Sequence, residues 1–349
     1  MEYPNHAHGI LTSDPCILAD KASGKYYMTS SHFTIDGKPA SRGMGKIVCL
    51  VSEDLIHWSD PQVIFDCTET DFWARFSGYP ATEMHYLGGK YYLVGTGSPR
   101  GDTGHPMILA ADNPLGPFQP LSDEPYGPVG WDLLDNTLYL DEDNHPWLIC
   151  SHLWYEVSDG QMVLLPLSDD FSHTIGGPMI LFRGSDAVWA DDQIWSKTDG
   201  GGIAEAPYLW KAENGELWML WTGRSRTGYC VGYAKSESGK IWGPWRQMER
   251  PIYAHDGGHC VLFRRLEDNQ LMMSMHVADK GPKMLTIFEM EERNGELHII
   301  NELTGNWLDT SGGNAIKYRR QKCTEEPAMT YPGSLEELAE QAKVKLEEE

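Results

Sequence analysis

A turn signal followed at once by an aromatic or apolar run recurs five times along the 349-residue chain. The turns sit at Gly24, Gly89, Asn144, Gly215 and Asn269, and they lead into Tyr26-Tyr27-Met28, Tyr91-Tyr92-Leu93, Trp147-Leu148, Leu217-Trp218-Met219 and Leu271-Met272-Met273. Another apolar segment precedes each turn by a few residues, at 16–18, 84–87, 137–140, 208–210 and 260–263. Strand, short turn, strand is the signature of a β-hairpin. A second element recurs later in the units: Leu55-Ile56-His57-Trp58, Leu115-Gly116-Pro117-Phe118, Ile175-Gly176-Gly177-Pro178 and Ile241-Trp242-Gly243-Pro244-Trp245. These read as turns into an outer strand, punctuated by Gly and Pro. Length alone suggests two domains. A repeat of 54 to 71 residues with about four strands each predicts propeller blades instead. The expected fold is all-β, a five-bladed β-propeller over residues 1–325. A β-sandwich or two stacked β-domains accounts less well for the recurrence.

Residues 326–349 form a different segment. The last 25 residues hold eight Glu and two Lys. Ser334 and Glu337 make a capping box, and Leu335, Leu338, Ala342 and Leu346 share a face. The expectation is an acidic tail, either a short helix or disordered.

Composition excludes several functions. The formal charge is −23, from 51 acidic and 28 basic residues. Such a chain lacks the basic footprint of a phosphate-backbone binder, so no nucleic-acid partner is expected. No stretch reaches the roughly 18 apolar residues a membrane span needs, and residues 1–10 lack an apolar signal core. A cytoplasmic protein is the expectation, with a secreted chain trimmed of its leader left open. The seven cysteines are widely spaced without a CxxC pair, and read as buried reduced thiols.

In a propeller the starts of the inner strands converge on one funnel. Those starts read Ser13-Asp14-Pro15, Ala81-Thr82-Glu83, Leu134-Asp135-Asn136, Ala204-Glu205-Ala206-Pro207 and Gly257-Gly258-His259. Four carboxylates and one histidine are expected in equivalent places. A cluster of acids without a nucleophilic Ser or Cys suits glycoside hydrolysis. One carboxylic acid protonates the leaving oxygen, and a carboxylate activates water or attacks the sugar carbon. A third carboxylate can hold the acid's pKa up by like-charge repulsion.

At these residues the chain resembles glycoside hydrolase family 43. The matching motifs are Asp14-Pro15-Cys16-Ile17; Asp135 with Tyr139, Asp141 and Asp143; Glu205-Ala206-Pro207-Tyr208-Leu209; and Gly258-His259. They run in order at blade spacing over roughly residues 10 to 300. The resemblance implies a five-bladed propeller that hydrolyses with inversion, with Asp14 as general base, Glu205 as general acid, and Asp135 orienting and tuning the acid. It implies no cofactor for the chemistry, and a calcium or sodium ion near His259 in the central channel. It implies arabinofuranosyl, xylosyl or galactofuranosyl substrates in oligosaccharides or polysaccharide fragments. Exo action on imported fragments is the expectation that follows from a cytoplasmic location. The chain departs from the family pattern in two places. Ala206 stands where Gly is usual, and Tyr79-Pro80-Ala81-Thr82-Glu83 replaces W-A-P-E/D. The rival readings are a non-catalytic carbohydrate-binding propeller, a retaining fructosidase-like enzyme and a protein-interaction propeller.

Other residues are candidates for substrate contact. Trp73, Trp131, Trp154 and Trp189 lie between repeated strands and offer flat faces on which sugars stack, or else pack between blades. Glu83, Arg224, Arg226 and His276 could reach a pocket; the alternatives are a structural hydrogen-bond acceptor for Glu83, a solvated loop for the arginines and a core or pore hydrogen bond for His276. Asp132 is a rival of Asp135, less well spaced from Tyr139. Asp141 and Asp143 read as hairpin-turn residues rather than calcium ligands. His6 and His8 make an H-x-H that could bind metal or sit at the rim.

Overall fold

The computed structural model describes residues 1–35, 38–40, 45–75, 80–98, 103–190, 202–225, 228–279 and 281–305. The expected tail helix, the boundary at 325, Cys323 and Arg226 fall outside these residues. Five antiparallel sheets follow one another along the chain. The first blade comprises Cys16–Asp20, Lys25–Thr29, Lys46–Ser52 and Gln62–Asp66. The second comprises Glu83–Leu87, Lys90–Gly97, His105–Ala111 and Gln119–Pro120. The third comprises Leu133–Leu140, Pro146–His152, Gln161–Pro166 and Met179–Arg183. The fourth comprises Glu205–Lys211, Leu217–Ser225, Gly228–Ser236 and Trp245–Gln247. The fifth comprises Gly257–Arg264, Leu271–Val277, Met284–Arg293 and Glu296–Glu302. In each blade every strand pairs with the next, so the chain zigzags outward from the axis. This is the five-bladed propeller that the repeat predicts.

The five turn residues hold the inner hairpins. Gly24, Gly89, Asn144, Gly215 and Asn269 all have positive φ, between 64° and 88°. That region is open to Gly and tolerated by Asn, which explains why those two residue types recur there. The near-continuous apolar runs follow from burial on both faces. In Leu217–Ser225, Leu217, Met219 and Trp221 join a cluster with the third blade, whereas Trp218 and Leu220 join one with the fifth. Alternation is hidden because both faces meet a neighbouring blade. Five apolar clusters result, one at each boundary between blades. The six cysteines described are all buried, and none of them forms a disulfide.

Hydrogen bonds near the axis tie each blade to the next. Thr29 donates to the carbonyl of Thr82 (2.7 Å), and Asn136 donates to that of Gly95 (3.0 Å). The amide of Ala206 donates to Asp135 (3.1 Å), and that of His259 to Thr222 (2.9 Å). Ser274 donates to the carbonyl of Pro15 (2.9 Å), which joins the fifth blade to the first. The ring is also closed by a strand. Ile10–Ser13, which precedes the first blade, pairs through Leu11 with Met284 of the fifth. Among the described residues no helix is long and apolar enough to cross a membrane.

Candidate active site

The site is set by one backbone irregularity repeated in every blade. Asp14, Ala81, Asp135, Ala206 and His259 have φ of 59°, 53°, 51°, 52° and 54°. Each lies two residues before regular pairing of its inner strand, at Cys16, Glu83, Thr137, Tyr208 and Val261. In the last three blades it interrupts the ladder as a register shift. A bulge of this kind re-aims a side chain at a strand end. This frame corrects the expected equivalence of four carboxylates and a histidine. Asp14, Asp135 and His259 do share one position, but Glu205 precedes it by one residue and Glu83 follows it by two.

Asp14, Asp135 and Glu205 meet in a pocket of about 350 Å³. His259, His276, Arg224 and Trp154 line it too, so seven of the residues nominated from sequence come together. Asp14 Oδ2 accepts hydrogen bonds from Ser13 (2.8 Å) and from Ser31. Its Oδ1 lies 3.3 Å from His276 Nδ1 and 3.5 Å from His259 Nδ1. Asp135 Oδ2 accepts from the Ala206 amide and lies 3.7 Å from His259 Nδ1. Glu205 Oε2 accepts from the Tyr229 hydroxyl at 2.6 Å.

The environments push these acids apart. Burial alone would raise Asp14, but His259, His276 and the Ser31 hydroxyl outweigh it and hold Asp14 well below the usual carboxylate range. Burial raises Asp135 well above that range, and the charges of Glu205 and Asp14 add to it. Burial also raises Glu205, with Tyr229 and Arg224 opposing. The Asp135–Glu205 pair therefore keeps a proton at a pH where Asp14 has lost its own. His259 is pushed down by burial, against the pull of Asp14. His276 goes up, because Asp14 and Asp279 on either side of it overcome burial.

Four residues nominated for substrate contact lie away from this pocket. Glu83 is buried and pairs with His85, its Oε2 2.9 Å from His85 Nε2. Trp73 packs on Phe72 in the cluster between the first two blades, and the ring fills the space beside Gly97. Trp131 is stacked on His152, with ring centroids 4.1 Å apart and planes 9° from parallel. Trp189 is fully buried against Trp221 and Gly232. Asp132 accepts from the Gly104 amide and the Tyr155 hydroxyl, outside the pocket. Asp141 accepts from the amides of Asp143 and His145 and from the Trp147 indole, a hairpin-turn role.

The structure adds Tyr229, Asp279 and Lys283 to the pocket wall. Asp279 is held by Lys283 (2.8 Å) and Arg224 (3.0 Å), with His276 at 3.5 Å. Ser31, Trp154, Tyr229, Asp279 and Lys283 lie at or just beyond the connection between the second and third strands of their blades. Those connections lie at the same end as the inner-strand starts. That topological rule was available from the repeat, and it would have marked these segments.

A metal ion near His259 needs a ligand set. His259 Nδ1 lies 3.5 Å from Asp14 Oδ1 and 3.7 Å from Asp135 Oδ2. Among the described residues no group of three or more His, Cys, Asp or Glu could hold an ion. His259 would therefore have to hold an ion chiefly through water, as the resemblance implies. His6 and His8 likewise make no such group, and His6 Nδ1 accepts the His8 amide in a short turn.

A family model described as glycosyl hydrolases family 43 matches residues 8–286. Among solved structures, the endo-arabinase from Bacteroides thetaiotaomicron VPI-5482 is 32% identical with a TM-score of 0.76. The match covers 85% of this chain and 100% of that one. A thermostable family-43 glycoside hydrolase is 19% identical with a TM-score of 0.71, over 87% of this chain and 97% of its own. The α-L-arabinofuranosidase from Lactobacillus brevis is 15% identical with a TM-score of 0.64, over 83% and 94%. No curated protein matches the sequence.

Proposed function

The chain belongs to glycosyl hydrolases family 43 and is a glycoside hydrolase; from that premise we propose that it cleaves arabinofuranosidic linkages in oligosaccharides, with inversion. The observation that carries this reading is the opposed electrostatics of carboxylates in one pocket. The surroundings hold Asp14 down and push Glu205 up, the direction of the division of labour that glycoside hydrolysis requires.

In this mechanism Asp14 accepts a proton from water as the water oxygen bonds to the anomeric carbon. Glu205 gives its proton to the glycosidic oxygen as the carbon–oxygen bond breaks. Asp135 accepts from the Ala206 amide, next in the chain to Glu205, and like charge between the two carboxyls resists the ionisation of both. Its role is to orient the acid and tune it. Trp154 offers an aromatic wall for a sugar ring. Arabinose is favoured over xylose and galactofuranose because the 32% identical structure is an endo-arabinase.

Hydrolysis of aryl α-L-arabinofuranoside, β-D-xyloside and β-D-galactofuranoside tests the reading. The arabinofuranoside is expected to be cleaved, and both Glu205→Gln and Asp14→Asn are expected to lose turnover by at least about a hundredfold. Proton NMR of the first-formed sugar is expected to show the inverted anomer; a retained anomer would remove Asp14 as general base. The small pocket favours exo action. The likeness to an endo-arabinase favours internal cleavage of arabinan as the second reading. Loss of viscosity before monosaccharide appears would select it.

A further inference from the structure

We infer that Tyr229 is a positioning residue of the general acid: its hydroxyl occupies Glu205 Oε2, fixes the carboxyl's rotamer and leaves Oε1 to face the leaving oxygen. The inference rests on the reading of Glu205 as the acid and adds to it the group that aims the proton.

The geometry is over-determined. The Tyr229 hydroxyl donates to Glu205 Oε2 at 2.6 Å, inside the range for a phenol bonded to a carboxylate. The ring is buried, 6% exposed, and lies on His276 with centroids 5.9 Å apart and planes 18° from parallel. The Arg224 guanidinium carbon lies 5.6 Å from the ring centroid. Two glycines make room for this ring and its backbone. A Cβ on Gly258 would lie 2.4 Å from Tyr229 Cε1 and 2.5 Å from Cδ1. Gly228, the residue before Tyr229, has φ of 114° and presses against Asp256, where a Cβ would lie 2.5 Å from Oδ1. The glycine before His259 therefore has a local cause: it seats the tyrosine that holds the acid.

The hydrogen bond also has an electrostatic sign. A phenol donating to a carboxylate stabilises the ionised form and lowers its pKa. The charged groups that face Glu205 are Arg224 and Lys283 on one side of the ledger, and Asp14, Asp135 and Asp279 on the other. The phenols are Tyr229 and Tyr155. Tyr229 is the member of this set with a hydrogen bond to the acid among the described residues. Its removal should let burial and the three acids act with less opposition, so the acid would stay protonated to higher pH.

The test compares wild type, Tyr229→Phe and Glu205→Gln across pH, on the aryl glycoside that wild type cleaves and on its dinitrophenyl analogue, whose leaving group needs little protonation. Tyr229→Phe is expected to raise the alkaline limb of kcat/KM by about one pH unit or more. Its kcat should fall while KM holds, because the acid is misaimed but the sugar is still bound. Glu205→Gln should lose the poor leaving group and keep much of the activated one. If Glu205→Gln behaves so and Tyr229→Phe leaves the limb in place, the inference fails and the acid assignment stands. If Glu205→Gln turns over like wild type, the acid assignment itself fails. A titration of the protonated-carboxyl infrared band absent from Glu205→Gln needs no substrate and reads the same pKa. An upward shift of that band's midpoint in Tyr229→Phe supports the contact, and an unchanged midpoint overturns it.

Discussion

Asp14 and Glu205 carry the same functional group, and their neighbours push its proton affinity in opposite directions. Asp14 accepts two hydroxyls and faces two imidazoles. Glu205 is buried with further acids nearby, and burial raises both it and Asp135. The pH dependence of kcat/KM follows with a definite sign. Activity needs Asp14 ionised, so the acid limb should fall below the ordinary aspartate value of about 3.9. Activity also needs the coupled pair to hold a proton, so the alkaline limb should lie above the carboxylate range and belong to the pair. A pH–rate profile of the purified enzyme checks both limbs. An acid limb at or above the ordinary value would mean that His259 and His276 do not act on Asp14 as their distances indicate.

At the scale of the strand, the recurring left-handed residue explains both what the sequence disclosed and what it hid. Turn glycines, asparagines and two-sided apolar strands are local features, so the blades could be read from spacing. The three acids could be read too, because each lies beside an apolar strand start. Their register could not, since a bulge shifts side chains by one residue without changing composition. Glu83, two residues past the shared position, takes the structural role through His85, and Tyr229, Asp279 and Lys283 have no such signal because they sit near strand connections of irregular length. Ala206 is the one departure from the family pattern beside the acid, and it adopts φ of 52°. That conformation costs an alanine about 1–2 kcal/mol, whereas glycine adds roughly 0.5–1 kcal/mol of unfolded-state entropy. Ala206→Gly is therefore expected to stabilise the fold by about 0.5 kcal/mol, read from the urea midpoint. A loss of stability would show that the alanine methyl contributes packing that outweighs the strain.

At the scale of the whole molecule, the ring depends on contacts between its two ends. Ser274 donates from the fifth blade to the carbonyl of Pro15, the residue after the base. Ser274→Ala would leave that buried acceptor without the bond, at a cost of about 1–3 kcal/mol. The expected outcome is a lower thermal midpoint together with weaker catalysis, because Asp14 sits beside the loosened peptide. Retained kcat alongside a lowered midpoint would separate ring closure from placement of the base. The strand Ile10–Ser13 has a further consequence, which concerns synthesis. Leu11 finds its partner Met284 about 270 residues later. At roughly 5–20 residues per second, a ribosome needs about 14 to 55 s to reach it. Throughout that interval the strand before the base can pair with His32–Ile35 on one edge, but its other edge waits for the fifth blade. A nascent chain would therefore be inert until its last blade emerged, and catalysis would begin only when the circle was complete.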